Sequence, residues 1–147
     1  MIEEFPWMPF ALAELGQHEI TGAGDAPRVL EYLRTTTLPA ALASQDETAW
    51  CSAFVNWCLE QAKCPRTHSA AARSWLTWGQ ALQVPRRGCI AVFSRDGGGP
   101  VVTTLSGHVA FYMRTVGHAI EVLGGNQHDR VCVAPYDQSR LLGYRVP

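Results

Sequence analysis

An α+β fold with a mainly antiparallel sheet is predicted by three features of this 147-residue sequence. Up to Gly79, apolar residues recur at the spacing of helices that turn one face to a core. Beyond Pro85-Arg86-Arg87-Gly88, short apolar or alternating runs separated by glycine turns take over, the pattern of strands. The two patterns do not interleave and no internal repeat is visible, so helices come first and the sheet follows.

The elements follow in order. Pro6 to Leu15 reads as a short helix with Met8, Leu12 and Leu15 on one face and Gly16 as its stop. After the loop Thr21-Gly22-Ala23-Gly24, Asp25 is placed to cap a helix that starts at Pro27, turns Val29, Leu30 and Leu33 inward and ends before Pro39. From Cys51 a third helix carries Phe54, Val55, Cys58, Leu59 and Ala62, with Thr48 and the acids before it suited to a helix start and Cys64-Pro65 to its end. A fourth is expected from Ser69 through Ala72, Trp75 and Leu76 to Gly79. Cys89 to Phe93 has the continuous apolar character of a buried strand, and Asp96-Gly97-Gly98-Gly99-Pro100 is a turn. His108 to Met113 alternates, with Val109, Phe111 and Met113 on one face and His108, Ala110 and Tyr112 on the other. Ala119 to Leu123, Val131 to Ala134 and Leu142 to Val146 complete the sheet.

Length and composition narrow the function. A chain of this size makes one domain, residues 1–147, with a continuous core. A 47% apolar and 17% charged composition is that of a globular chain, not a disordered one. A net charge of -1 without basic runs argues against nucleic-acid binding, and no stretch reaches the length of a membrane span. Glu3, Glu4, Pro6 and Pro9 do not make a secretory signal, so the expectation is synthesis in the cytoplasm and action in the periplasm or at the cell wall after export, injection or lysis. Five cysteines, an odd number with no C-x-x-C pair, point to neither a disulfide framework nor a zinc site. Cys58 and Cys89 read as packing residues.

Cys51 is different because it falls in the first turn of its helix. Unpaired N–H groups and the positive end of the helix dipole there favour a thiolate. A thiol nucleophile also needs an imidazole to take its proton and a polar group to hold that imidazole. His108 opens a strand after Ser106-Gly107, and Asn126 lies in Gly124-Gly125-Asn126-Gln127 at the end of the adjacent strand. Both stand nine residues from Gly117, so a hairpin centred there makes them cross-strand neighbours. The expected catalytic set is Cys51, His108 and Asn126, with Gln127 as the substitute for Asn126. The Cys51 N–H and the side chain of Gln45 are candidates for holding an oxyanion. Trp50, next to Cys51, is the tryptophan expected to border a cleft, while Trp75 and Trp78 suit core packing. Gln45, Trp50 and Gln127 are therefore the candidate substrate contacts. Arg73 suits a structural ion pair or a substrate carboxylate. His18, His68, His118 and His128 share no ligand spacing, so no metal site is expected.

Several segments together resemble the CHAP-like branch of the papain-like (NlpC-type) peptidoglycan hydrolases. They are Asp46 to Trp57, Gly107-His108-Val109-Ala110-Phe111-Tyr112, Val122 to Gln127, Ala72 to Gly79 and Leu142 to Pro147. The resemblance implies a papain-like fold, with a cysteine-bearing helix packed on a small antiparallel sheet. It also implies cleavage of an amide bond in cell-wall peptide by a Cys-His-Asn thiol mechanism, without metal or organic cofactor. CHAP proteins often carry Glu two positions before the Asn; here that position is Gly124, so a fourth catalytic residue is not implied. Two settings fit such an enzyme: a phage-type lysin, or an injected antibacterial effector that has an immunity protein as partner. The alternatives are a thiol peptidase or acyltransferase on another amide, and a non-catalytic wall-binding module on the same scaffold.

Overall fold

The computed structural model describes residues 4–18, 27–36, 50–94 and 107–147. At its centre the helix from Cys51 forms as expected and stops at Ala62, before Cys64-Pro65. This helix, called α3 (Cys51–Gln61) below, is buried on all sides from Cys51 to Leu59 rather than along one stripe. Its two polar core residues are satisfied. Asn56 donates to the Ser52 carbonyl at 3.0 Å and accepts from His68 N–H at 2.8 Å, while Ser52 Oγ donates to the Ser69 carbonyl at 2.7 Å.

Two short helices pack beside it, α1 (Met8–Ala13) and α2 (Pro27–Leu33). The first is shorter than Pro6 to Leu15 for a visible reason. Gly16 N–H bonds the Val131 carbonyl at 3.0 Å and Gln17 accepts from Val131 N–H at 2.8 Å, so the chain leaves the helix to join the sheet, with Gly16 at φ +98°. In α2, Val29, Tyr32 and Leu33 are buried. The Tyr32 hydroxyl donates to Glu14 at 2.6 Å, and Arg28 pairs with the same carboxylate at 3.1 Å, which joins α2 to the end of α1. Asp25, Thr48 and the Asp96 to Pro100 turn lie outside the described residues.

The fourth helix is corrected: Ala72–Thr77 is a 3₁₀ helix. Side chains pin this segment from both sides, Trp75 through its indole N–H to Ser52 Oγ at 2.9 Å and Trp78 to the Pro65 carbonyl at 3.2 Å. A three-residue strand, β1 (Gln80–Leu82), follows without having been expected; it is short, pairs with the last strand and packs only Leu82 against the core. Then come β2 (Ile90–Phe93), β3 (His108–Val116), β4 (Ala119–Gln127), β5 (Arg130–Asp137) and β6 (Leu141–Val146). Every pairing is antiparallel, in the order β1-β6-β2-β3-β4-β5.

The alternation read in β3 holds. Val109 and Phe111 join Trp50, Phe54, Leu123 and Val131 under α3, whereas Ala110 packs with Cys89, Ala91, Phe93, Ile120, Val122 and Tyr144 on the opposite face. That second face is concave. Tyr136, near the end of β5, stacks on Phe93 of β2 at 5.0 Å although two strands separate them in the sheet order. Such curling brings the exit of β5 to the end of the sheet where β3 begins.

Burial in this second core pushes the Cys89 thiol up from its ordinary value near 9 to about 11, and Tyr144 up to about 12. A proton bound more tightly in the folded state stabilises the fold fully below the unfolded pKa, and the contribution is lost as pH rises through the folded one. Melting temperature is therefore expected to stay level to about pH 9 and then fall. Cys89 should contribute on the order of 2 kcal/mol of the loss between pH 9 and 11. Thermal melts of wild type and Cys89→Ala over that range check this, the variant showing the shallower fall.

Candidate functional site

Cys51 is the first residue of α3, with Trp50 as an N-cap whose side chain makes no cap hydrogen bond. The first intrahelical bond runs from Phe54 N–H to the Trp50 carbonyl at 2.9 Å, so the N–H groups of Cys51, Ser52 and Ala53 lack partners within the helix. The first turn is rigidly seated. Ser52 ties it to Ser69 and Trp75, and Trp50 and Phe54 press on Gly125 of β4. A Cβ on Gly125 would lie 2.6 Å from the Trp50 ring and 2.7 Å from Phe54 Cβ. Glycine at this position is what lets the helix approach the strand. Cys51 itself is 3% exposed.

His108 is the first residue of β3, paired with Phe93 of β2 and buried. Its Nε2 lies 2.8 Å from Gln127 Oε1. The other end of that carboxamide is held as well: Gln127 Nε2 donates to the Cys132 carbonyl at 2.7 Å and, more weakly, to the Val122 carbonyl at 3.4 Å. With the NH₂ committed to carbonyls, the oxygen is the atom turned to the imidazole. A carbonyl oxygen only accepts, so Nε2 carries a proton, and in the neutral ring Nδ1 has the lone pair. The Tyr136 ring stacks on the imidazole at 4.8 Å with 20° between planes. The pair sits two residues from Gly125, the seat of the α3 first turn, so helix start, imidazole and amide share one end of the sheet.

The side chain that meets His108 is thus Gln127, the expected substitute, and not Asn126. The hairpin does turn at Gly117, and beyond an irregularity between Tyr112 and Arg114 its register runs through Phe111↔Leu123 toward His108 opposite Asn126. The β3–β4 register ends at Phe111↔Leu123, and past it the pairing of β4 with β5 shifts between Gly124 and Gln127. Asn126 takes φ +57°, a left-handed conformation that asparagine tolerates, and the next side chain is delivered to the imidazole instead. Gly124 completes the arrangement. A Cβ there would fall 2.7 Å from both Ala110 Cβ and Gln127 Oε1, so any side chain at this position would displace the Gln127 carboxamide.

Trp50 is also corrected. It is fully buried, stacked on Tyr32 at 5.6 Å, and packs the core rather than bordering a cleft. Gln45 lies outside the described residues. Trp75 is core, with Trp78 edge-on at 5.1 Å, and Arg73 is half-buried, its Cγ 3.5 Å from where a Cβ of Gly107 would be. All five cysteines are thiols. Burial raises the pKa of Cys58, Cys64 and Cys89, which leaves these three poorly suited to ionise. His18, His68, His118 and His128 are exposed. Sequence reasoning missed Tyr136 and the Cys132 carbonyl; the only available signal was that two glycines and an asparagine in a strand invite a bulge.

A thiol at a helix N-terminus and, at the same end of the sheet, a buried imidazole held by a carboxamide are the parts that nucleophilic attack on a carbonyl needs. The family model described as CHAP domain matches residues 43–126, more than half of the chain and including both Cys51 and His108. No curated protein matches the chain.

Gly125→Ala is expected to lift the first turn of α3 from β4 and to destabilise the protein by about 1–3 kcal/mol, the usual range for overpacking. Urea unfolding of the variant beside wild type measures it.

Proposed function

We propose, because this chain belongs to the CHAP domain family of papain-like peptidoglycan hydrolases, that it cleaves an amide bond of cell-wall peptide through Cys51, His108 and Gln127. The observation that carries this reading is the chain of hydrogen bonds from the Cys132 carbonyl through the Gln127 carboxamide to His108 Nε2, which leaves Nδ1 as the basic nitrogen.

In this reading Nδ1 takes the Cys51 proton, giving a thiolate and an imidazolium, and Gln127 Oε1 accepts from Nε2–H throughout. The helix N-terminus stabilises the sulfur anion. The thiolate attacks the amide carbonyl, and the oxyanion is met by the Cys51 N–H, with Gln45 the candidate for a second donor. The imidazolium then protonates the departing amine. Water, deprotonated at His108, attacks the thioester, the carbon–sulfur bond breaks, and a carboxylate leaves with the thiol restored. The site of action is where peptidoglycan lies, in the periplasm or at the wall; as an injected effector the protein would require an immunity partner in the producing cell.

Cys51→Ala is expected to lower lysis of purified cell walls at least about a hundredfold while binding to them persists. Unchanged lysis would contradict the assignment. In wild type, iodoacetamide is expected to alkylate Cys51 faster than the other four cysteines at pH 7, and His108→Ala to slow that reaction. Uniform labelling would count against a thiolate at Cys51.

The two amides are separated by a further pair of variants. Gln127→Ala is expected to reduce kcat about a hundredfold by releasing the imidazole from its orientation, whereas Asn126→Ala stays within about threefold of wild type. Steady-state kinetics on defined muropeptides measures both, and mass spectrometry of the new termini names the bond.

A further inference from the structure

We propose that Tyr136 is a positioning residue for His108, its ring fixing the plane of the imidazole and stabilising the imidazolium that forms opposite the Cys51 thiolate. The inference rests on the catalytic reading above, and Tyr136 lies beyond the residues that the family model matches.

A hydrogen bond from Gln127 sets the direction of Nε2 but leaves the ring able to rotate about the line of that bond. A second constraint is needed to aim Nδ1. Tyr136 supplies it, lying nearly parallel to the imidazole at 4.8 Å and 20°. The tyrosine is itself held, stacked on Phe93 at 5.0 Å, and Phe93 is the cross-strand partner of His108. One aromatic ring therefore spans the two neighbouring side chains and fixes both.

Electrostatics act in the same direction. The face of an aromatic ring is electron-rich and attracts a cation lying over it, which favours the charged imidazole. Among the described residues, His108 meets Gln127 from β4, Phe93 from β2 and Tyr136 from β5. Among the described residues, Arg140 lies 5.3 Å from the Tyr136 ring and is bonded through Nε to the Ser94 carbonyl at 2.8 Å, and the stem of Arg73 lies beside Gly107.

The experiment compares Tyr136→Leu and Tyr136→Phe with wild type, reading kcat and KM on a defined muropeptide and the pH profile of Cys51 alkylation by iodoacetamide. For Tyr136→Leu, kcat is expected to fall about tenfold with KM within about twofold, and the acid limb of the alkylation profile to move up by up to about one pH unit. Tyr136→Phe, which keeps the ring, should restore both. Tyr136→Leu matching wild type in both readouts, or Phe failing like Leu, would overturn the proposal. His108→Ala separates this from failure of the catalytic reading: if wild-type Cys51 alkylates no faster than the other thiols and His108→Ala changes nothing, that reading falls whatever the tyrosine variants do. Should Tyr136→Leu fail to fold, proton NMR of wild type decides. The His108 ring protons are expected upfield of those of exposed His118 and His128 under the ring current of Tyr136; unshifted protons would overturn the stack.

Discussion

The carboxamide of Gln127 has one available orientation, because the Cys132 carbonyl takes its NH₂ at 2.7 Å. That hydrogen bond settles which atom faces His108 and, through it, which imidazole nitrogen keeps its proton. A carboxamide free to turn over would serve either tautomer. With its NH₂ anchored to β5, it serves one, and the basic nitrogen is assigned by the sheet. The proposed chemistry depends on this, since a thiol can be deprotonated only by a nitrogen that has a lone pair to offer.

Packing brings the thiol to the same end of the molecule. Helix α3 has no polar face to turn outward; it is buried throughout its first nine residues, and its polar side chains bond to the loop before Ala72. Gly124 and Gly125 divide the work on either side of β4. One leaves room for Ala110 and Gln127, the other for Trp50 and Phe54. Because successive residues of a strand face opposite sides, a two-glycine run is what allows close approach from both faces at one point.

Much of this was legible from the residues. The cysteine helix and its stop, the strand opened by His108 and the hairpin about Gly117 follow from local rules of periodicity, proline and glycine. What could not be read depends on interruptions of those rules. The nine-residue symmetry that pointed to Asn126 assumes a ladder that continues to the strand ends, whereas the β3–β4 register ends at Phe111↔Leu123 and β4 then shifts against β5 between Gly124 and Gln127. The 3₁₀ geometry of Ala72–Thr77 is imposed by tryptophan hydrogen bonds to distant partners, which no local pattern encodes. Tyr136 reaches His108 only because the sheet curls, a property of the whole sheet and not of one strand.

The tautomer of His108 is therefore the most direct point of contact between the account and experiment. Long-range proton–nitrogen NMR of the imidazoles in Cys51→Ala, where no thiolate can draw the ring into its charged form, reads it at neutral pH. The account predicts a protonated Nε2 and an unprotonated Nδ1 for His108. A protonated Nδ1 with the lone pair on Nε2 would contradict it.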